Sequence, residues 1–348
     1  MGSTDIIGWF ADIGLDDRLQ VGGKGGSLGE LERAGIAVPP GFVVKTGAFE
    51  RFVTALERAA PLRARIEALE ADDLAGVEAC CKEIRARVEA AELPREVLEE
   101  IAAAHAALCR RQTPVAVRSS ATTEDASDAS FAGLQATYLW LTDLTQTLAR
   151  VRSCWASLYS VESVCYRRRR GMPEEGVAMA VVVQTMVHAR TAGVMFTRSP
   201  VTGDRSVISI EGAWGLGSAV VGGEVTPDRW VLGKITGEIS VREISDKHIQ
   251  HVPLPEGGVA TVEVAEEHRR APCLSDEELQ ALRDIGRRVE RHYGCPQDIE
   301  WAVEHGTSRI LLLQSRPETV WSAKEGVPVA KPAADPLAHV MTIFGGRR

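Results

Sequence analysis

The segment QDIEWAVEHGTSRILLLQSRPET, Gln297 to Thr319, constrains the fold more than any other stretch of the chain. Two runs with strand character flank a turn at His305 to Ser308. A hairpin centred near Thr307 sets Glu300 opposite Gln314 and Asp298 opposite Arg316. Alternation of period two then puts all four side chains on one face. Two polar pairs on a solvent-facing sheet would look like this. So would a platform for Mg²⁺ and a triphosphate, because Mg²⁺ takes oxygen ligands and fills its shell with water and phosphate.

A second stretch, PVAVRSSATTEDASDASFAGLQATYLW, opens with a short apolar strand from Pro114 to Val117. It continues through Arg118, Ser119 and Ser120 into a loop of small residues reaching Gly133, and reads as strand again from Thr137 to Trp140. Arginine offers phosphate a planar fork of donors, and small residues let a loop backbone close over an anion. A surface loop capped by a solvated arginine fits the same letters. A third stretch, VGGKGGSLGELERAG, surrounds Lys24 with glycines, places Ser27 as a helix cap and ends at Gly35. A glycine-rich turn at a helix N-terminus can hold an anion. This one lacks the spacing of the nucleotide P-loop, and a plain tight turn explains it as well.

Trp9 to Ile13 reads as a first strand. Gly47 to Arg111 reads as two to four packing helices broken at Pro61 and Pro94, and helices resume from Leu144 to Arg170. Val177 to Val187 is an apolar strand with one polar residue, Gln184. Ala192 to Asp204, Val207 to Leu232 and then Leu232 to Ala265 are β-rich. A last helix starts at Ser275, whose spacing to Glu278 is that of a capping box, and stops at Gly294. Its apolar face is Leu279, Leu282, Ile285 and Val289.

A formal net charge of −8 with no basic block argues against nucleic acid as a partner. The run Arg167 to Arg170 is expected to be a solvated helix face. Seven cysteines without a C-x-x-C pair read as reduced thiols in a cytoplasmic setting. The acidic N-terminus has no signal-peptide pattern. The longest apolar run, Val177 to Val183, is too short to span a bilayer, so no membrane is expected.

Taken together, R-S-S-A…E-D…S-F-A-G…T-Y-L at Arg118 to Leu139, V-G-G-K-G at Val21 to Gly25 with V-P-P-G-F at Val38 to Phe42, and D-I-E-W…Q-S-R-P at Asp298 to Pro317 resemble the ATP-binding domain of the phosphoenolpyruvate synthase and pyruvate phosphate dikinase family. That family includes rifampin phosphotransferase and phenylphosphate synthase. The resemblance runs from about Trp9 to Trp321. It implies an α+β, ATP-grasp-like fold with two lobes closing on a nucleotide: residues 1–190 with the packing helices, then 191–321, then a linker and tail at 322–348. It implies ATP and Mg²⁺ as cofactors. Glu300 and Gln314 would hold the metal with Asp298 beside them, and Lys24, Arg118 and Arg316 would neutralise phosphates during catalysis. Gly133 and Thr137 would set the loop on the phosphates, and Gln184 would lie near adenine. The family often reads Gly-Leu-Gly-Glu where this chain has Ser218.

None of the eight histidines stands in the family's G-G-x-x-S-H phosphohistidine setting. The resemblance therefore implies the ATP half of a split phosphotransferase, as in phenylphosphate synthase. It would pass the β-phosphoryl of ATP to a histidine on a partner subunit and leave AMP and phosphate, with an acceptor such as phenol bound elsewhere. The alternatives are the ATP-binding domain of a rifampin phosphotransferase or phosphoenolpyruvate synthase-like enzyme, or a nucleotide-sensing regulatory subunit without catalysis.

Overall fold

The computed structural model describes residues 4–70, 72–110, 113–122 and 136–322. In chain order, β1 (Ile7–Trp9) leads to α1 (Arg18–Arg33), β2 (Gly41–Val44) and four helices: α2 (Thr46–Ala59), α3 (Arg63–Glu67), α4 (Leu74–Ala90) and α5 (Arg95–Leu108). Then follow β3 (Val115–Ala121), β4 (Thr137–Leu141), α6 (Leu144–Ser157), α7 (Val161–Arg169) and β5 (Met179–Thr185). The remainder is mainly strand: β6 (Ala189–Phe196), β7 (Val207–Trp214), a single turn α8 (Ser218–Val221), β8 (Asp228–Gly233), β9 (Ile239–Glu243), β10 (Ile249–Pro253) and β11 (Val259–Glu263). The short α9 (Glu266–Arg269) and long α10 (Asp276–Tyr293) precede the hairpin β12 (Gln297–Glu304) and β13 (Ile310–Pro317).

The strands form two large antiparallel sheets and one hairpin. The first sheet has the order β1-β2-β5-β3-β4, and the second β13-β12-β6-β7-β8-β9, with β10-β11 apart. The mixed α+β class expected from the sequence is the class found. Alternation sorts the first sheet into two faces. Phe42, Val44, Val115, Val117, Val181 and Val183 pack with Phe49, Phe52, Ile84, Val97, Ile101 and Trp155 of the helices. Val43, Ala180 and Val182 face the other way, onto Val21, Leu28 and Leu31 of α1. The same core continues into Met195, Ile208, Trp230 and Ile299 of the second sheet and Leu279, Leu282 and Val289 of α10.

Three local expectations fail, each for a visible reason. The first strand is Ile7–Trp9, and Phe10–Asp12 closes into a 3-10 turn. The last pair is Trp9 with Phe42, and beyond it the Phe10 ring lies over Gly41, where a Cβ would stand 2.5 Å from it. Ser27 does not cap a helix. The helix is already formed by then, with its only non-helical residue at Gly22, φ +70°. The Ser27 hydroxyl instead donates to the Ser315 carbonyl at 2.6 Å, tying α1 to β13. Arg167 is not a solvated residue of its helix. It is 1% exposed and forms two hydrogen bonds to Glu174, with Nε to Oε1 at 2.9 Å and Nη2 to Oε2 at 3.1 Å. A charge this deep is tolerated because its donors are filled.

The start of α10 matches the expectation. Ser275 accepts from the Glu278 N–H at 3.2 Å and Glu278 accepts from the Ser275 N–H at 2.9 Å, while Gly294 ends the helix in the left-handed region. Ser275→Ala should lower unfolding free energy by about 1 kcal/mol, the usual worth of such a cap. Urea denaturation would show it, and an unchanged midpoint would mean that tertiary packing alone sets this helix end. Among the described residues, no helix is long and apolar enough to cross a membrane. All seven cysteines are free.

Candidate functional site

Arg118 links the two large sheets. Val115 and Val117 enter the helical core, so alternation along β3 turns Arg118 to the opposite face. There its Nη1 donates to the Leu313 carbonyl at 2.8 Å. Its Nη2 donates to Glu300 Oε2 at 2.9 Å and to Gln314 Oε1 at 2.5 Å. The hairpin has the expected register, Asp298 opposite Arg316 and Glu300 opposite Gln314, with a bulge immediately after Glu300. Arg118 is 7% exposed, and its Nε has no hydrogen-bond partner among the described residues.

One carboxylate oxygen and one amide oxygen thus converge on a single cationic nitrogen. That donor set fits Mg²⁺, which is commonly held by one or two carboxylates while phosphate and water complete the shell. Among the described residues, no group of three or more His, Cys, Asp or Glu side chains converges as a metal cage. A partial shell of this kind suits an ion that arrives with its phosphates.

A cavity of about 400 Å³ opens between the sheets beside Arg118. This size suits a bound small molecule. Leu139, Met186, Val187, Leu216, Val221 and Leu313 give it apolar walls. Its polar groups include Arg118, Thr137, Gln184 and Glu300. Thr137 pairs with Arg118 across β3 and β4. Gln184 is buried, and its Nε2 donates to the Pro39 carbonyl at 3.3 Å. Ser218 also lines the cavity.

Arg118, Thr137, Gln184 and Glu300 come together at this cavity, with Gln314 bound to Arg118. Asp298 and Arg316 sit two cross-strand pairs further along, 3.4 Å apart and outside the lining. Burial pushes the Asp298 carboxyl up to about 6, opposed by Arg316 and reinforced by Glu318. Lys24 is buried in α1, outside the lining, and is the largest charge opposing the upward push of burial on the Cys154 thiol. Gly133 lies outside the described residues.

Sequence reasoning missed the apolar walls and His251, which hydrogen-bonds Ser218. Val187 and Leu216 carry no signal that separates a cavity wall from a core. The glycines at 215 and 217 were the available hint, because small residues on both sides of Leu216 let backbone approach a ligand or another strand.

Residues 18–335 match the family model described as pyruvate phosphate dikinase, AMP/ATP-binding domain. The chain belongs to this family. Similar curated proteins include a probable phosphoenolpyruvate synthase of Methanothermobacter thermautotrophicus, 41% identical over 317 residues, covering 90% of this chain and 46% of that protein. The phosphoenolpyruvate synthase of Pyrococcus furiosus is 36% identical over 356 residues, covering 90% and 44%. That of Aeropyrum pernix is 40% identical over 362 residues, covering 94% and 44%. The chain therefore spans less than half the length of these relatives, and within it the dikinase-family match takes in every strand of the two large sheets except β1.

Proposed function

We propose that this chain binds and cleaves Mg²⁺-ATP as the nucleotide domain of a phosphoenolpyruvate synthase-like phosphotransferase. The observation that carries this is the convergence of Glu300 and Gln314 on Arg118 at the polar end of a largely apolar cavity. The names of the relatives favour this reading over the phenylphosphate synthase-like one. The two sheets act as the two lobes of an ATP-grasp-like fold, divided near residue 190, with 322–348 as a linker and tail. Adenine lies in the apolar end near Gln184, and the phosphates extend toward Arg118 and Thr137.

Glu300 and Gln314 would hold Mg²⁺, with Asp298 beside them, and the ion would neutralise charge on the phosphates. Arg118 then turns its fork from the hairpin to a phosphate. Lys24 and Arg316 add positive charge from either side, and Gly133 brings the loop onto the phosphates. Phosphoryl transfer requires positioning and charge neutralisation more than covalent help. Overall, ATP, water and a histidine yield phosphohistidine, AMP and phosphate. The β-phosphorus bonds to the histidine nitrogen, its bond to the AMP oxygen breaks, and water releases the γ-phosphate. The histidine belongs to another domain, on a partner subunit or on a longer form of the same chain, and the acceptor binds there. The seven free thiols support a cytoplasmic setting.

Calorimetry of Mg²⁺-ATP binding tests the site. Glu300→Ala should bind about 10-fold more weakly or worse, since about 1.4 kcal/mol is tenfold. Equal Mg²⁺-dependent affinity in the two proteins would remove Glu300 from the site. AMP release on adding a histidine-bearing domain separates cleavage from mere nucleotide sensing.

A further inference from the structure

The cavity meets a second, more open hollow of about 770 Å³ bounded by β4, α6 and the β10-β11 hairpin. Thr137, Leu139 and Ser218 line both and so mark their common rim. Gln184, Met186, Val187 and Ala302 line only the first. At the rim the Ser218 hydroxyl lies 2.8 Å from His251 Nδ1, and His251 Nε2 lies 3.3 Å from Glu224 Oε2. His251 is 8% exposed. Backbone holds it there, since Leu216 N–H donates to the His251 carbonyl at 3.0 Å. Gly215, at φ +75°, permits the approach, because a Cβ in its place would stand 2.4 Å from that carbonyl oxygen.

The partners fix the direction of the chain of hydrogen bonds. A carboxylate only accepts, so Nε2 of His251 carries the proton. In the neutral ring Nδ1 is then the acceptor, and the Ser218 proton points at His251. What Ser218 offers the cavity is lone pairs. A group that meets it must be a donor.

We infer that Ser218 accepts a hydrogen bond from a ribose hydroxyl and so selects ribonucleotides, with His251 as a positioning residue held by Glu224. This rests on the nucleotide reading above. The base fills the apolar end that only the first cavity owns, and the phosphates are drawn to Arg118. Arg118 and Gln184 both line the first cavity, so the sugar that joins base and phosphates lies in that cavity too, where Ser218 is a wall residue that offers lone pairs, and the hydroxyls of the sugar are donors. A Gly-Leu-Gly-Glu string would put an acceptor-only carboxylate at this point, whereas this chain reaches a carboxylate in two steps, through His251.

The test is calorimetry with Mg²⁺-ATP, Mg²⁺-2′-deoxyATP and Mg²⁺-3′-deoxyATP. The wild type should bind ATP about 10-fold tighter than at least one deoxy analogue. Ser218→Ala should bind ATP about 10-fold more weakly, with that analogue unaffected, so the ratio falls to about one. Ser218→Thr, which keeps the hydroxyl, should keep the ratio. His251→Phe should reduce the ratio about 3-fold without weakening the analogue, an effect that a packing defect would not produce. Glu300-dependent ATP binding with no ribose preference in the wild type, or an undiminished ratio in Ser218→Ala, overturns the relay and leaves the nucleotide site standing. No ATP binding by the wild type overturns both.

Discussion

Arg118→Ala should weaken Mg²⁺-ATP binding by about 100-fold or more, which is about 2.7 kcal/mol. The phosphates lose their bidentate donor, which is the loss that binding reads. In the ligand-free protein the hairpin loses the group that satisfies Glu300, Gln314 and the Leu313 carbonyl at once, which is a loss of stability. Gln314 is buried and Glu300 is 28% exposed, so the amide stays unsatisfied while the carboxylate can partly rehydrate. Stability should therefore fall by about 1–3 kcal/mol rather than by the full cost of a buried unpaired charge. Arg118→Lys should rescue neither property, because a single ammonium cannot reproduce the planar fork. Wild-type affinity in Arg118→Lys would reduce the residue to a point charge.

Gly22→Ala should cost about 3 kcal/mol or more of stability. The backbone there is at φ +70° and ψ 177°, a region essentially restricted to glycine that costs an L-residue about 1–3 kcal/mol. A Cβ would also stand 2.1 Å from the Ser120 carbonyl oxygen, which belongs to β3 and cannot swing away. The strand would have to retreat, breaking the bonds from Ser120 Oγ to the Val21 carbonyl at 2.8 Å and from the Gly25 N–H to Ser120 Oγ at 3.1 Å. Gly35→Ala is the internal comparison. Gly35 has φ +67° but nothing within 4 Å of its Cβ position, so it carries only the conformational penalty. Equal denaturation midpoints for the two variants would mean that the approach of α1 to β3 is unimportant.

What could be read from the sequence followed period and pairing. The Asp298–Arg316 and Glu300–Gln314 pairs were legible because a short turn fixes register, and register fixes face. The cap at Ser275 was legible because capping is local. The glycines at 22 and 25 misled, because their role depends on Ser120 of β3, about 95 residues away, and glycine inside a helix contradicts its own propensity. Arg167 misled for the same reason: its partners fold around it, and charge patterning cannot show that. The polar end of the cavity was legible through the resemblance, but its apolar walls were not. Its walls come from strands of both sheets, and apolar residues facing a hollow look the same in sequence as those facing a core.

Helix α1 lies between the sheets, its apolar residues sharing one core with strands from each and its Ser27 bonded to β13. Neither sheet keeps its cover if the other comes apart. The change of sheet between Thr185 and Ala189 is therefore a boundary in the path of the chain but not in its cooperativity. A ligand gripped at the cavity rim must raise the free energy of opening for both sheets together, and β1 and β9, at their far edges, share in that protection.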